Sequence, residues 1–532
     1  MSPGLKEIPR TPQEGRPGGA PRPDRASIAR FLVPALGTLL VLPILYGAWR
    51  GFPVYDDAYL FQFLRELGPG SIAADHPDRP LFGILMQAMA SVFGLSRAPY
   101  VAVALAFWLL LAWQTGRLWK RVFRERPELA PAAGLLVLSP IVVDTQFTTL
   151  TTVLPIQLPV SLALAGVLLG LRRPEREIRW LPVGVALVFA AALVSEYALA
   201  TVLAGAALLA VRRRFRPAIA LVSGVAVGEI ARRTFADVGA RQDTIPGGLL
   251  VVASHEPLKI AGQWVTGIWQ SLGGTWLSAA GSLRAEASSR STLLAVLLAL
   301  AAGVLAARWS RRAVGGGEPR MLSQSVAAPA AAVAAGLLPV VLAVRPASLA
   351  EYSSRFRTPI LPFATVAFVA ICYRVFYARW RPLAFAALFF VAEFRSVDRS
   401  FAIARQQALL ARVGDVLRQT VATSPGIAVG VIPSQGADGA DLTQKVTRSW
   451  SVEDARRAWT MNPQEAEDLF GPRADCGDTR RIDTPRRIHF VGRHGAVSRL
   501  VWFPIEGDRF GTPESYCVDP SRAIGQAPAG GG

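Results

Sequence analysis

FLVPALGTLLVLPILYGAW, residues 31–49, runs without a single charged side chain, and its reading decides the fold. At 1.5 Å per residue it makes a helix of about 28 Å, close to the ~30 Å hydrocarbon core of a bilayer. STLLAVLLALAAGVLAA (Ser291–Ala307) repeats the signal far downstream. The whole chain agrees with these two stretches. Of 532 residues, 52% are hydrophobic and 18% charged, and the mean hydropathy is +0.34. A soluble chain of this size carries more charge and no long unbroken apolar blocks.

The formal net charge is +19. Charge of that size can mark a nucleic-acid partner, but here the basic residues sit in short clusters between apolar blocks, which excludes that class. Lysine occurs only at Lys6, Lys120, Lys259 and Lys445, so the basic charge is nearly all arginine, as in the coding bias of a high-GC bacterium. Residues 1–30 are rich in Pro, Gly and Arg and are expected to be a disordered cytoplasmic tail. The apolar run that follows is too long for a cleaved signal and has no small-residue cleavage site, so it reads as an uncleaved first span in a bacterial inner membrane.

Orientation follows from the arginine clusters, which favour the cytoplasmic side of short loops. The clusters are Arg117–Arg126, Arg172–Arg179, Arg212–Arg216, Arg308–Arg312 and Arg374–Arg381. With spans at 31–49, 100–116, 131–147, 153–171, 181–194, 197–211, 217–230, 291–307, 326–344, 359–372 and 383–394, all five fall inside. Pro80–Leu95 is apolar but short; a full crossing there would turn every later cluster outward, so it reads as a re-entrant or interfacial helix. The expected fold is therefore a polytopic α-helical membrane protein of about eleven transmembrane helices. The transmembrane domain covers 31–395, with outer loops at 50–99 and 232–290, and 396–532 forms a small C-terminal α/β domain outside the cytoplasm. In that tail Ser396–Val421 has helical periodicity, Ile427–Pro433 and Arg486–Gly492 read as strands, and Ser451–Trp459 reads as a helix. Cys476 and Cys517 share it and are either a disulfide or a reduced pair; Cys372 lies in a span.

Chemistry-bearing residues gather on the outer face. GFPVYDDAYLFQFLREL (Gly51–Leu67) places Asp56 and Asp57 among aromatics at the membrane interface. Adjacent carboxylates repel, which suits a general base or a ligand for a divalent cation such as Mg or Mn; the alternative is an ordinary helix cap. The same loop continues through DHPDRPLFGILMQAMASVFG (Asp75–Gly94), with His76 and Arg79. VSEYALA (Val194–Ala200) interrupts an apolar hairpin with Glu196 and Tyr197, and an ionisable group there is a functional candidate because burying it is costly. AEYSSRFRTPILPF (Ala350–Phe363) places Tyr352, Arg355 and Arg357 before a late span. These arginines break the positive-inside pattern and suit bidentate phosphate binding, unless they only snorkel to the interface. Arg232 and Arg233 break it too and are weaker candidates. The four histidines have no metal-ligand spacing.

The ensemble resembles the GT-C superfamily of integral-membrane glycosyltransferases, which take a sugar from a polyprenyl-phosphate carrier. Their first outer loop carries an acidic pair after span one, and many bacterial members have Gly-Arg-Pro-Leu or Lys-Pro-Pro-Leu before an apolar helix ending in Phe-Gly. Here the matching residues are Asp78–Leu81 and Phe93–Gly94, with a departure at the first position. Asp-Asp in place of Asp-Glu means that the protein acceptor of the mannosyltransferase branch is not implied. The resemblance implies an inverting transfer on the periplasmic face to a glycan or lipid acceptor. Asp57 or Asp56 would be the base, and Arg79, Arg355 and Arg357, with His76, Glu196, Tyr197 and Tyr352 nearby, would line the donor's phosphate. A transporter or flippase of lipid-linked saccharides is one rival; a non-catalytic envelope assembly protein is another.

Overall fold

The computed structural model of the chain describes residues 25–51, 68, 79–94, 96–143, 146, 153–172, 174–235, 257–281, 289–313, 323–342 and 351–423, with strand segments at 427–433, 458–460, 499–506, 509–510 and 514–517. Asp56, Asp57, His76, Cys476 and the N-terminal tail through residue 24 lie outside the described residues, as do the side chains of Tyr352 and Cys517.

The first helix, α1, is Arg25–Gly51 and carries Pro34 and Pro43. The next described helices are α2, Pro80–Phe93, and α3, Arg97–Val122. Arg97 Nη1 donates to the Trp49 carbonyl at 2.7 Å, which sets the start of α3 beside the end of α1. α2 has 14 residues, only about 21 Å of helix. It buries Phe82, Met86 and Ala90 against Tyr100, Ala104, Val153 and Leu154, while Ile84 and Val92 stay exposed. Pro80 starts it, and Gly94 ends it at φ +55, a left-handed conformation that glycine adopts without penalty.

Sequence periodicity predicts a continuous span over 131–147, and the structure differs. Helix α4 covers only Ala130–Leu136, and the chain then turns through 137–142 inside the core. Pro140 accounts for the break: its ring clashes with the carbonyl four residues back, at Leu136, and it offers no N–H.

Further on come a π-turn at Val153–Gln157, α5 (Leu158–Gly170), α6 (Pro174–Val194), α7 (Tyr197–Val211) and α8 (Phe215–Phe235). The predicted outer loop 232–290 contains α9 (Pro257–Trp269), a π-turn at Gln270–Gly274 and α10 (Thr275–Gly281). Then follow α11 (Ser289–Ala313), α12 (Ser323–Leu342), a 3-10 run at Glu351–Ile360, α13 (Leu361–Val375) and the 43-residue α14 (Arg381–Thr423).

Among the described residues, five helical stretches are long and apolar enough to cross a membrane: Phe31–Arg50, Arg97–Val122, Val153–Gly170, Ser291–Arg312 and Arg355–Val375. α11 has the side-chain distribution of a lipid-facing helix. Ala295, Ala299, Ala302 and Ala306 are buried, while Leu293, Leu297, Leu300 and Val304 are at least half exposed. Water would drive the larger apolar side chains inward; in lipid the small residues go inside, because they let helices approach closely. Gly224 and Gly228 of α8 do the same against α6, where a Cβ at Gly228 would lie 2.9 Å from the Phe189 carbonyl oxygen.

Past α14 the strands are β1 (Ile427–Pro433), β2 (Ala458–Thr460), β3 (Arg499–Glu506), β4 (Arg509–Phe510) and β5 (Glu514–Cys517). β1 pairs in parallel with β2 and β3, and β3 pairs antiparallel with β4 and β5. β1 matches its predicted bounds. Ala458 and Trp459, predicted as the end of a helix, instead pair with Val429 and Gly430, tertiary pairing having overridden a weak local preference. The predicted strand Arg486–Gly492 lies outside the described residues.

Candidate functional site

The site is built on the α6–α7 turn. Ser195 N–H closes α6 on the Ala191 carbonyl, and Ala198 and Leu199 N–H groups open α7 on the carbonyls of Ser195 and Glu196. Two residues suffice to reverse the chain, and Glu196 stands at the tip. Arg79, one residue before α2, donates through Nε to Glu196 Oε2 at 3.1 Å and through Nη2 to Oε1. Ser195 Oγ adds a hydrogen bond to Oε2 at 3.1 Å. This bidentate fork ties the first long loop to the hairpin, and charge assistance strengthens both bonds.

The Glu196 side chain is 43% exposed, with Arg79 and Ser195 bonded to it and Arg232 close enough to act on its charge. Burial pushes its carboxyl up, but Arg79 and Arg232, together with hydrogen bonding, outweigh that and bring it down to about 2. Arg232 reaches the site from the end of α8, where Glu229 holds it through bonds of 3.1 and 2.6 Å.

The third arm is the 3-10 run. Thr201 Oγ1 of α7 donates to the Pro359 carbonyl at 3.2 Å. A Cβ at Gly336 of α12 would meet Ile360 Cγ2 at 2.5 Å, so only glycine lets this segment seat between α7 and α12. Phe356 then stacks on Tyr197, with centroids 6.1 Å apart and planes 14° from parallel. Arg355 lies close enough to the Tyr197 hydroxyl to act on its charge and 5.0 Å over the Phe356 ring.

The structure therefore brings Arg79, Glu196, Tyr197 and Arg355 together. Arg357 goes elsewhere. Three residues per turn place positions 355 and 357 about 240° apart, so Arg357 points inward, is fully buried and donates through Nη2 to Gln270 Oε1. Its local role is to fasten the 3-10 run to the π-turn after α9. Gln270 carries no sequence signal, since a glutamine in an amphipathic loop helix is ordinary. The break in the arginine pattern did point to Arg232, and its partner Glu229 lies one turn earlier on the same helix. Arg233 is 70% exposed.

The far end of the same hairpin is chemically different. From the α7–α8 turn, Arg212 donates to the carbonyls of Arg121 and Val122, and Arg214 to those of Gly170 and Arg172. These cations cap the C-termini of α3 and α5, where unpaired carbonyls and the helix dipole favour positive charge. Arg213 between them takes φ +58.

One end of the bundle thus spends its arginines on helix carbonyls. The other gathers guanidiniums from three separate elements around a carboxylate and a stacked aromatic pair, an arrangement able to bind and orient an anionic group. No cluster of three His, Cys, Asp or Glu side chains suited to a metal occurs among the described residues. No model of a protein family matches the chain, and neither a curated protein nor a solved structure does.

Proposed function

We propose that this chain is a membrane glycosyltransferase that moves a sugar from a polyprenyl-phosphate donor to an envelope glycan or lipid on the periplasmic face. The reading takes eleven crossings, a cytoplasmic N-terminus, and residues 396–532 as an extracytoplasmic α/β domain. The observation that carries it is the convergence of Arg79, Glu196, Tyr197 and Arg355, at the opposite end of the α6–α7–α8 hairpins from the carbonyl-capping Arg212 and Arg214. Arginines that cap helices are satisfied by carbonyls; arginines gathered from separate elements around one partly exposed carboxylate favour an anionic ligand.

In this mechanism Asp57, with Asp56 beside it, removes the proton from an acceptor hydroxyl. The oxygen attacks the anomeric carbon, the carbon–oxygen bond to the phosphate breaks on the opposite face, and the configuration inverts. The lipid phosphate leaves with both bonding electrons. Arg355 and Arg79 stabilise that growing charge, which is where preorganised donors contribute most. Arg357 holds the 3-10 run that presents Arg355.

Native mass spectrometry of the full-length protein, offered polyprenyl monophosphate or the matching polyprenol, tests the reading. Phosphate should bind in preference to alcohol. Arg355→Ala should cut that preference about 10- to 100-fold, the weight of a charge-assisted contact. Equal binding of the two lipids would refute it.

A further inference from the structure

Helix α14 carries a second ionisable site, on elements other than those that build the first. It packs antiparallel on α11: Trp309 meets Phe385 edge-on at 5.8 Å, a Cβ at Gly303 would lie 3.1 Å from the Ala386 carbonyl oxygen, and Ala295 and Ala299 cluster with Phe394 and Val397. This register sets Glu393 near the level of Ala299. On the apolar stretch Ser291–Arg312, that is ~12 Å from one end and ~20 Å from the other. α1 covers the same region, with Ser400 Oγ donating to the Pro43 carbonyl at 2.6 Å and Tyr46 against Phe401 at 5.1 Å.

Glu393 is fully buried, and neither carboxyl oxygen has a hydrogen-bond partner among the described residues. Ser396 lies on the same helix face one turn on, also fully buried, with its Oγ likewise unpartnered. The other charges nearby point elsewhere. Arg395 and Asp398, 4.0 Å apart, and Arg399 lie off the Glu393 face of α14, about 160°, 140° and 120° round from Glu393 respectively. Of the neighbouring helices, α10 has no titratable side chain, α11 has only the arginines at its two ends, and α13 has Cys372, Tyr373 and Arg374 at its end. α1 brings Tyr46 and terminal arginines.

We propose that Glu393 is a proton-binding site at membrane depth. A carboxylate there is buried with no hydrogen-bond partner or counter-charge on its face among the described residues, and an ion in that setting either finds a partner or takes up a proton. A proton is also the one ligand that needs no cavity. This inference is independent of the glycosyltransferase reading.

Infrared spectroscopy of the full-length protein in lipid nanodiscs tests it. The wild type at neutral pH shows a carboxylic-acid carbonyl band that shifts in D2O, and Glu393→Gln removes that band. A wild-type spectrum with no acid carbonyl band at neutral pH overturns the proposal without any variant. So does a folded Glu393→Gln protein that loses only carboxylate bands.

Discussion

The link between Arg79 and Glu196 sets a definite energy. It is a two-bond fork, which favours a strong interaction, but the side chains are 24% and 43% exposed, so solvent screens it. Exposed pairs contribute roughly 0.2–1 kcal/mol, and bidentate geometry places this one near the top of that range, about 1 kcal/mol. Glu196→Gln and Arg79→Gln should each destabilise the full-length protein in detergent, measured by denaturant unfolding. The double variant should cost less than the sum by about 1 kcal/mol, close to a fivefold change in the unfolding constant. A swap of the two charges, Arg79→Glu with Glu196→Arg, should recover part of the loss. A coupling under about 0.3 kcal/mol, within the additivity expected of independent sites, would refute the fork as a tether between the first loop and the hairpin.

Acid should weaken the same contact from a known direction. The Glu196 carboxyl sits at about 2 when folded, against 4.5 for the free group. Its contribution is therefore complete above 4.5 and lost as pH falls toward 2, and the stability gap between wild type and Glu196→Gln should narrow over that window. Gly134→Ala forces a Cβ to 2.7 Å from the Ala112 carbonyl oxygen and should cost about 1–3 kcal/mol in an unfolding titration. Gly262→Ala, with nothing within 4 Å, should be neutral or gain up to about 1 kcal/mol from helix propensity. Arg213→Gly, which relieves a left-handed arginine at φ +58, should stabilise by about 1 kcal/mol.

Hydropathy made the helical architecture legible wherever apolar runs were unbroken, as at 31–49 and 291–307. It failed where one residue overruled its surroundings. Pro140 ends a helix in an apolar stretch that composition alone extends to 147. On α14 the helix read over Ser396–Val421 is present, but the charges at Glu393, Arg395, Asp398 and Arg399 separated it in the sequence from the span ending at 394; one continuous helix, Arg381–Thr423, packs on α11 and α1 through Phe401. Short-range pattern reports local polarity, whereas depth is set by the partner helices.

The candidate site was legible as residue types on one face, because arginines outside the positive-inside pattern are conspicuous. Their division of labour was not. Arg355 and Arg357 look equivalent in SSRFRTP, and only the three-residue turn of the 3-10 run separates a group beside Phe356 and Tyr197 from one buried on Gln270. The Arg79–Glu196 contact spans 117 positions, and no local pattern encodes such a pairing.

Sugar transfer by the purified full-length protein in nanodiscs, offered a panel of radiolabelled polyprenyl-phosphate sugars and envelope acceptors, tests the central claim most directly. The wild type should turn over with inversion at the anomeric carbon, and folded Asp57→Asn should lose about 100- to 10,000-fold, the usual weight of a general base. Near-normal turnover in Asp57→Asn, or no transfer from any donor by wild type that binds the lipid phosphate, would contradict it.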